Sequence, residues 1–390
     1  MISVDEALAH LFSLITPLES EVVPLVQASG RVLAADAIAT RDQPPFAASA
    51  MDGYGVLSQG AAPGAQYDVI GEAAAGHGFD GSIGPGQAVR IFTGAPVPAG
   101  VGRVIIQEDV TRHKDRITVL DSLAGGPHIR PLGADFKVGD TFGAPRVLSP
   151  SDVALLAAMN IAQVTVRRKP DIALISTGDE LVMPGEAPGP DQIIASNTFG
   201  LKALLDAHGA RARILPIARD TRASLEAAFE LARNADLVVT IGGASVGDHD
   251  LVGDVAADLG VKRAFYKVKM RPGKPLMAGQ FGNAAMVGLP GNPVSAMVCG
   301  HVFLRPMLRA MLGFEAARSS RRTARLAIDI GANGPREHYM RAQVTHSEIT
   351  PEPRQDSALL SVLADANALM IRPPDDAARK AGDMIEYLAM

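Results

Sequence analysis

The sequence predicts a multidomain α/β plus β protein. Its centre is a three-layer α/β domain with a mainly parallel sheet. An inserted all-β domain precedes it, a discontinuous N-terminal domain flanks that insert, and a small β domain ends the chain. Three textures predict this. From Asp171 onward apolar runs alternate with helical periods, the mark of strands joined by crossover helices. Between about 42 and 143 Gly and Pro are frequent, apolar runs are short and no helical period is visible, as in a sheet of short strands. From 321 short alternating strands return. A chain of 390 residues, 47% of them hydrophobic, is long enough to bury several cores.

Residues 3–16 read as an amphipathic helix. Ser3 and Glu6 form a capping box, and Val4, Leu8, Leu11, Phe12 and Ile15 share one face. Pro17 ends it. Residues 149–160 return to helix, with Ser149 as cap, Pro150 in the first position and Val153, Leu156 and Ala157 facing inward. This helix is expected to pack with the first segment. The discontinuous domain is therefore 1–41 with 144–169, around an insert of 42–143.

The α/β domain is expected over 170–318. Strand 171–176 leads into Thr177-Gly178-Asp179-Glu180. Helix 198–208 is capped by Ser196 or Asn197 and closes at Gly209. Strand 212–218 runs to Arg219-Asp220, and helix 222–233 follows. Strand 236–241 leads to Gly242-Gly243-Ala244-Ser245-Val246-Gly247-Asp248-His249-Asp250. Helix 251–259 closes at Gly260, and strand 285–289 feeds helix 293–311. In such sheets ligands sit outside the carboxyl ends of the strands. Glu180, Asp220, Asp248, Asp250 and the Pro-Gly loop at 288–295 should then line one edge. The C-terminal domain, 319–390, takes strands at 325–330, 341–345, 368–371 and 384–388.

Composition excludes several classes. Net charge is −5, so bulk nucleic-acid binding is excluded and any anion must be captured locally. Aromatic residues are 4% of the chain and Trp is absent, which argues against base stacking. The single cysteine, Cys299, rules out an intramolecular disulfide and a thiol-rich metal site, and reads as a core thiol. No basic leader precedes an apolar core and no apolar run reaches ~20 residues, so no membrane span is expected and the location expected is cytoplasmic.

The richest chemistry lies at 269–298. Six of the thirteen residues from Lys262 to Lys274 are Lys or Arg. The Pro-Gly turns of Arg271-Pro272-Gly273-Lys274 and Leu289-Pro290-Gly291-Asn292-Pro293 hold this charge beside the start of an apolar helix. Fixed cations, stiff backbone and free helix N–H groups suit an oxyanion or phosphate. Acidic loops face it: Glu180, Asp220 and Asp250 offer hard oxygens of the kind that hold Mg²⁺. For Asp220 and Asp250 taken singly, helix cap and ligand stand equally open. The glycine-rich run at 242–247 matches neither the dinucleotide fingerprint nor the Walker pattern. In the insert, Asp52 in Ser49-Ala50-Met51-Asp52-Gly53-Tyr54, Thr93 in Arg90-Ile91-Phe92-Thr93-Gly94-Ala95-Pro96, and the base and acid pair Arg130 and Asp135 read locally as structural.

Taken together, these motifs resemble the MoeA-type molybdopterin molybdenumtransferase family, which includes the gephyrin E domain. The resemblance runs over essentially the whole chain. It rests on the two insert motifs and on Ser176-Thr177-Gly178-Asp179-Glu180-Leu181, Gly242-Gly243-Ala244-Ser245-Val246-Gly247, Arg271-Pro272-Gly273-Lys274-Pro275 and Gly288-Leu289-Pro290-Gly291-Asn292-Pro293-Val294-Ser295, in that order. It implies insertion of molybdate into adenylylated molybdopterin, with release of AMP and help from Mg²⁺. It implies an elongated discontinuous N-terminal domain and a homodimer whose active site joins one subunit's insert to the partner's α/β and C-terminal domains. Contacts with the molybdopterin adenylyltransferase and with acceptor molybdoenzymes are also implied. The positions carried over are Asp52, Thr93, Glu180, Asp220 and Asp250 as catalytic, the last three also as metal ligands. Arg130, Asp135, Lys267, Arg271, Lys274, Ser295, Arg341 and Ser357 are carried over as substrate-binding. Arg271 stands where many relatives have lysine, which changes hydrogen-bond geometry, and Ala134 where many have glutamate. Two alternatives stand beside this reading: a non-catalytic pterin-binding scaffold and a paralogue specialised for tungstate.

Overall fold

The computed structural model describes residues 1–58, 61–242 and 251–390. The chain forms two compact units, residues 22–166 and residues 1–21 with 167–390.

In the unit of residues 22–166, a six-stranded sheet runs in the order Arg103–Ile106, Gly53–Val56, Gln87–Ile91, Gln66–Ala73, Arg116–Val119, Val110–His113. Only the Gln66–Ala73 and Gln87–Ile91 pair is parallel. Gly53 has no alternative in this sheet, because a Cβ there would collide with the Ile105 carbonyl. A second core draws on residues before and after the insert, including Val23, Leu33, Leu148, Leu156 and Val166, and on Phe136 and Phe142 from the end of the insert. Helix Pro150–Ala158 contributes Leu156 to it. Ser149 and Asp152 form the capping box. Ala157, expected to face inward, is exposed, and the helix leans on Leu156 and Met159 instead.

The other unit centres on a six-stranded sheet in the order Arg211–Ile214, Asp171–Ser176, Leu237–Ile241, Ala284–Leu289, Met277–Phe281, Lys262–Tyr266. The first four strands are parallel, and the last two add an antiparallel hairpin. The hairpin is an addition to the expected elements. Residues 262–266, part of the run read as a basic loop, form an edge strand. The strand expected over 212–218 stops at Ile214, and only the Thr177–Ala218 bridge prolongs that pairing. The first helix spans Val4–Ser13 with the Ser3–Glu6 capping box formed. It ends before Pro17, where the Ser13 hydroxyl donates to the His10 carbonyl at 2.7 Å.

The long helix expected over 293–311 forms over those residues, with a π segment inside it. Pro293–Cys299 and Arg305–Met311 are α-helical, and Gly300–Leu304 between them is a π turn. Gly300 lets the helix pack closely there, since a Cβ would come within 2.8 and 2.9 Å of the Leu201 and Leu204 side-chain tips. The C-terminal sheet closes on itself: Met270–Arg271, Glu337–Thr345, Glu348–Pro351, Arg322–Leu326, Met384–Ala389 and Ala368–Arg372, with the last pairing back onto Glu337–Thr345. Its strand expected from 325 begins at Arg322, and a short helix, Leu360–Asp365, lies between the strands expected at 341–345 and 368–371. Among the described residues no helix is long and apolar enough to cross a membrane.

Candidate functional site

At the carboxyl edge of the central sheet three loops touch. The backbone after Ser176 turns at Gly178, whose φ is +142°, a region closed to side chains. A Cβ at Gly178 would run into the Glu180 carboxylate, so that carboxylate lies folded over the glycine. Gly242, at φ +97°, leaves its absent Cβ facing the Thr177 carbonyl at 2.7 Å, and Gly291 approaches the Gly242 Cα. The Asn197 amide then ties the third loop down, donating to the Gly291 carbonyl at 2.7 Å. Asn197 therefore starts helix Asn197–Ala207 as a loop clamp, and neither it nor Ser196 makes a side-chain cap.

Glu180 and Asp220 border the first of these loops. The Asp220 N–H donates to Asp179 Oδ1 at 3.1 Å, and both Glu180 and Asp220 are exposed. Each offers hard carboxylate oxygens, the donor type that Mg²⁺ takes. Among the described residues no three His, Cys, Asp or Glu side chains converge as metal ligands. Asp250, with Gly243–Gly247, lies outside the described residues.

The cationic segment follows the edge strand. Lys267 has φ +73° and its ammonium lies 5.1 Å from the Tyr266 ring centroid. The Lys267 N–H donates to the Leu276 carbonyl, and the Val268 N–H to that of Lys274. These two bonds close a narrow loop that carries Lys267, Arg271 and Lys274. Gly273, at φ +105°, presses on the buried thiol of Cys299: a Cβ would come within 2.6 Å of Sγ. The loop therefore lies against helix Pro293–Cys299, which carries Ser295. Ser295 is buried, and the next loop reaches the same helix, where the Val294 N–H donates to the Ser357 carbonyl at 3.1 Å.

Arg341 is placed differently from an open binding residue. It is fully buried, and its Nη2 donates to the Arg354 and Asp356 carbonyls at 3.2 and 2.9 Å. Its Nε and Nη1 are buried without a partner among the described residues. Burial pulls its pKa below the ordinary arginine range, against the opposing pull of Asp356. It supports the 354–357 loop from beneath. Nearby His338, which sequence reasoning passed over, pairs in register with Arg271. Burial, with Arg271, Arg341, Arg372 and Arg336 around it, pushes its imidazole down to about 4.

In the unit of residues 22–166, Asp52 and Thr93 meet directly. Asp52 Oδ1 accepts from both the N–H and the hydroxyl of Thr93, each at 2.7 Å. These bonds, the N–H first, hold the carboxyl below its ordinary range. Arg90 braces the same turn. Its guanidinium stacks between Tyr54 and Phe92, 5.0 and 4.7 Å from their centroids, and donates to the Gly53 carbonyl. Arg130 sits on strand Ile129–Arg130, which pairs with Ala48–Ser49 just before Asp52. Asp135 is fixed through its N–H to the Gln43 carbonyl. Both are exposed, and the two form no ion pair among the described residues. The structure thus groups Asp52 with Thr93 and sets Arg130 and Asp135 nearby without joining them.

Three family models cover most of the chain: the MoeA N-terminal region (domain I and II) over residues 2–160, a probable molybdopterin binding domain over 173–310, and the MoeA C-terminal region (domain IV) over 323–390. A molybdopterin molybdenumtransferase of a Nostoc species is 37% identical over 327 residues, covering 80% of this chain and 75% of that protein. Molybdopterin molybdenumtransferase 2 of Mycobacterium tuberculosis is 34% identical over 380 residues and 93% of each chain. The crystal structure of the molybdopterin biosynthesis MoeA protein from Pyrococcus horikoshii matches with a TM-score of 0.86 at 28% identity, over the full length of both chains. The chain belongs to the MoeA-type family of molybdopterin molybdenumtransferases.

Proposed function

We propose that this protein inserts molybdenum, supplied as molybdate, into adenylylated molybdopterin and releases AMP and the molybdenum cofactor. The observation that carries the reading is the continuous run of contacts in one unit. It passes from the Glu180–Asp220 turn through Gly242 and Gly291 to helix Pro293–Cys299, and from Cys299 to the loop of Lys267, Arg271 and Lys274. Carboxylates and fixed cations thus share one scaffold, as a phosphoanhydride and an oxyanion require.

Lys267, Arg271 and Lys274 neutralise the oxyanion, and Ser295 and Ser357 donate to its oxygens. Arg341 holds the Ser357 loop in place. Glu180 and Asp220, with Asp250, would hold Mg²⁺ and would orient a water toward the phosphoanhydride. Mg²⁺, when bound, supplies Lewis-acid charge to the phosphate oxygens. The site of action proposed is the cytoplasm, where the adenylyltransferase and acceptor molybdoenzymes would supply and collect the pterin.

The working assembly in this reading is a homodimer with two equivalent composite sites. Asp52 and Thr93 of one chain serve Lys274 and Ser295 of the other. The base reaction is tested by incubating purified protein with adenylylated molybdopterin, molybdate and Mg²⁺. AMP and molybdenum-loaded cofactor should form in equal amounts, and AMP release that leaves the pterin without metal would overturn the reading. The shared site is tested by exchanging subunits between Asp52→Asn and Lys274→Ala proteins. Random pairing makes about half the dimers mixed, each with one intact site, so activity should recover to roughly a quarter of wild type. No recovery after mass-tagged exchange would place each site within one chain.

A further inference from the structure

The acidic turn has a side chain at its back that neither composition nor motif singled out. Arg219 Nη1 donates to three carbonyls at once: Leu181 at 2.9 Å, Asp179 at 3.0 Å and Gly178 at 3.4 Å. The fourth carbonyl of that stretch, Glu180, accepts from the Ile193 N–H at 2.7 Å. Every backbone acceptor from 178 to 181 is thereby engaged. Arg219 is itself anchored, because its N–H donates to Ser224 Oγ at 2.9 Å within helix Arg222–Ala232. The next residue ties the same turn from the other side, through the Asp220 N–H to Asp179.

We propose that Arg219 is the positioning residue of this turn: by gathering the carbonyls of Gly178, Asp179 and Leu181 it fixes where the Glu180 carboxylate meets a divalent cation. The inference rests on the reading of Glu180 and Asp220 as cation ligands. Its logic is geometric. The Glu180 carboxylate already lies over Gly178, at a backbone angle that only glycine adopts freely. Three bonds to one guanidinium hold the turn in that conformation. The hydrogen bonds of Arg219 go to neutral carbonyls, and it makes no ion pair among the described residues. A guanidinium beside a cation site repels the cation. Charge alone would therefore weaken metal binding, and only its hydrogen bonds can strengthen it.

That opposition of sign makes the test decisive. Mn²⁺ is titrated into the full-length protein and free ion is followed by electron paramagnetic resonance, for wild type, Arg219→Ala, Arg219→Lys, Glu180→Gln and Asp220→Asn. Mg²⁺ dependence of AMP release is measured alongside. Arg219→Ala should weaken Mn²⁺ binding by about 10-fold and raise the Mg²⁺ requirement likewise, with kcat at saturating Mg²⁺ within about 3-fold of wild type. Arg219→Lys, which keeps the charge but loses the planar fork, should fall between. Unchanged or tighter Mn²⁺ binding by Arg219→Ala overturns the inference. If that variant does not fold, Arg219→Met, which keeps much of the side chain's bulk with neither charge nor donor, decides by the same sign. Should Glu180→Gln and Asp220→Asn both keep wild-type Mn²⁺ affinity, the turn is no cation site and the inference falls with that reading. If those two lose binding and Arg219→Ala does not, only the role of Arg219 falls.

Discussion

In the Asp52 turn the carboxylate itself closes the structure: Oδ1 takes both the N–H and the hydroxyl of Thr93, and the Asp52 carbonyl accepts from Gln107. In the Gly178–Leu181 turn the backbone is closed from outside, by Arg219 and Ile193, and the Glu180 carboxylate makes no hydrogen bond among the described residues. Each turn carries an acid, a glycine and an arginine brace. They differ in what remains for a ligand. Asp52 keeps Oδ2 and an orientation set by Thr93, which suits an orienting acceptor. Glu180 keeps both oxygens, which suits a metal ligand. A carboxylate that holds its own loop cannot leave it for a ligand without cost, whereas one whose loop is held by another residue can.

The contrast breaks first at Glu180. Glu180→Gln should slow AMP release by about 10²–10³-fold, as loss of a transition-state charge partner does, with the thermal midpoint moved by no more than ~2 °C. A drop in stability as large as that in rate would mean that Glu180 also holds its turn. Acid should separate the two units next. His301 and His338 are buried in the unit of residues 1–21 and 167–390, and burial pushes both imidazoles from 6.5 to about 4. Below 6.5 the unfolded chain gains protons that the folded chain refuses until about 4. Stability therefore falls as pH drops through that window, by on the order of 3 kcal/mol for each histidine. Hydrogen exchange at pH 7 and pH 4.5 should show protection lost first in that unit, and His301→Gln with His338→Gln should flatten the slope. A slope unchanged in the double variant would place the acid sensitivity elsewhere.

The cationic loop gives the next effect. Lys274→Ala should weaken molybdate binding roughly 10–150-fold, the range for one lost charged hydrogen bond, and leave AMP binding nearly unchanged. Equal losses at both ends would assign the lysine to the nucleotide. The smallest effect belongs to Thr93→Val, which removes one of two bonds to Asp52 and spares the N–H. Activity should fall about 10-fold, and the acid limb of the pH profile should move up as the Asp52 carboxyl returns toward its ordinary value. A Thr93→Ser protein should restore both. An acid limb that stays in place would separate Asp52 from the rate.

The sequence makes legible what depends on local pattern. Apolar runs locate Asp171–Ser176, Leu237–Ile241 and Ala284–Leu289, because a parallel sheet buried on both faces leaves continuous hydrophobic strings. The capping boxes at Ser3 and Ser149 mark helix starts for the same local reason. The hairpin Lys262–Tyr266 and Met277–Phe281 hides because its edge strand carries Lys and Arg, which read as loop while they blunt an exposed edge. Gly300, at the start of the π turn Gly300–Leu304, packs against Leu201 and Leu204 of helix Asn197–Ala207, a contact that no window over 293–311 contains. The candidate site divides likewise. Acids and cations stand out by type and by their place after strands. Arg219 stands beside Asp220 in plain view, yet nothing nearby says that it bends back on residues forty positions earlier. Arg341 carries charge like its neighbours, and only packing shows that its charge faces carbonyls.

The pairing of the cationic loop also sets an order of assembly. Ile2 bridges Val268, and the short strand Met270–Arg271 pairs with Glu337 and His338. The segment that carries the lysines is therefore stitched at once to the beginning of the chain and to a strand made near its end. On the ribosome, where synthesis runs from the N-terminus, every strand of the central sheet is made before the seam to Glu337 and His338 can close. Contacts of such sequence separation form late. The loop that carries Lys267, Arg271 and Lys274 therefore lacks one of its two seams until Glu337 and His338 have been made, well after the last strand of the central sheet.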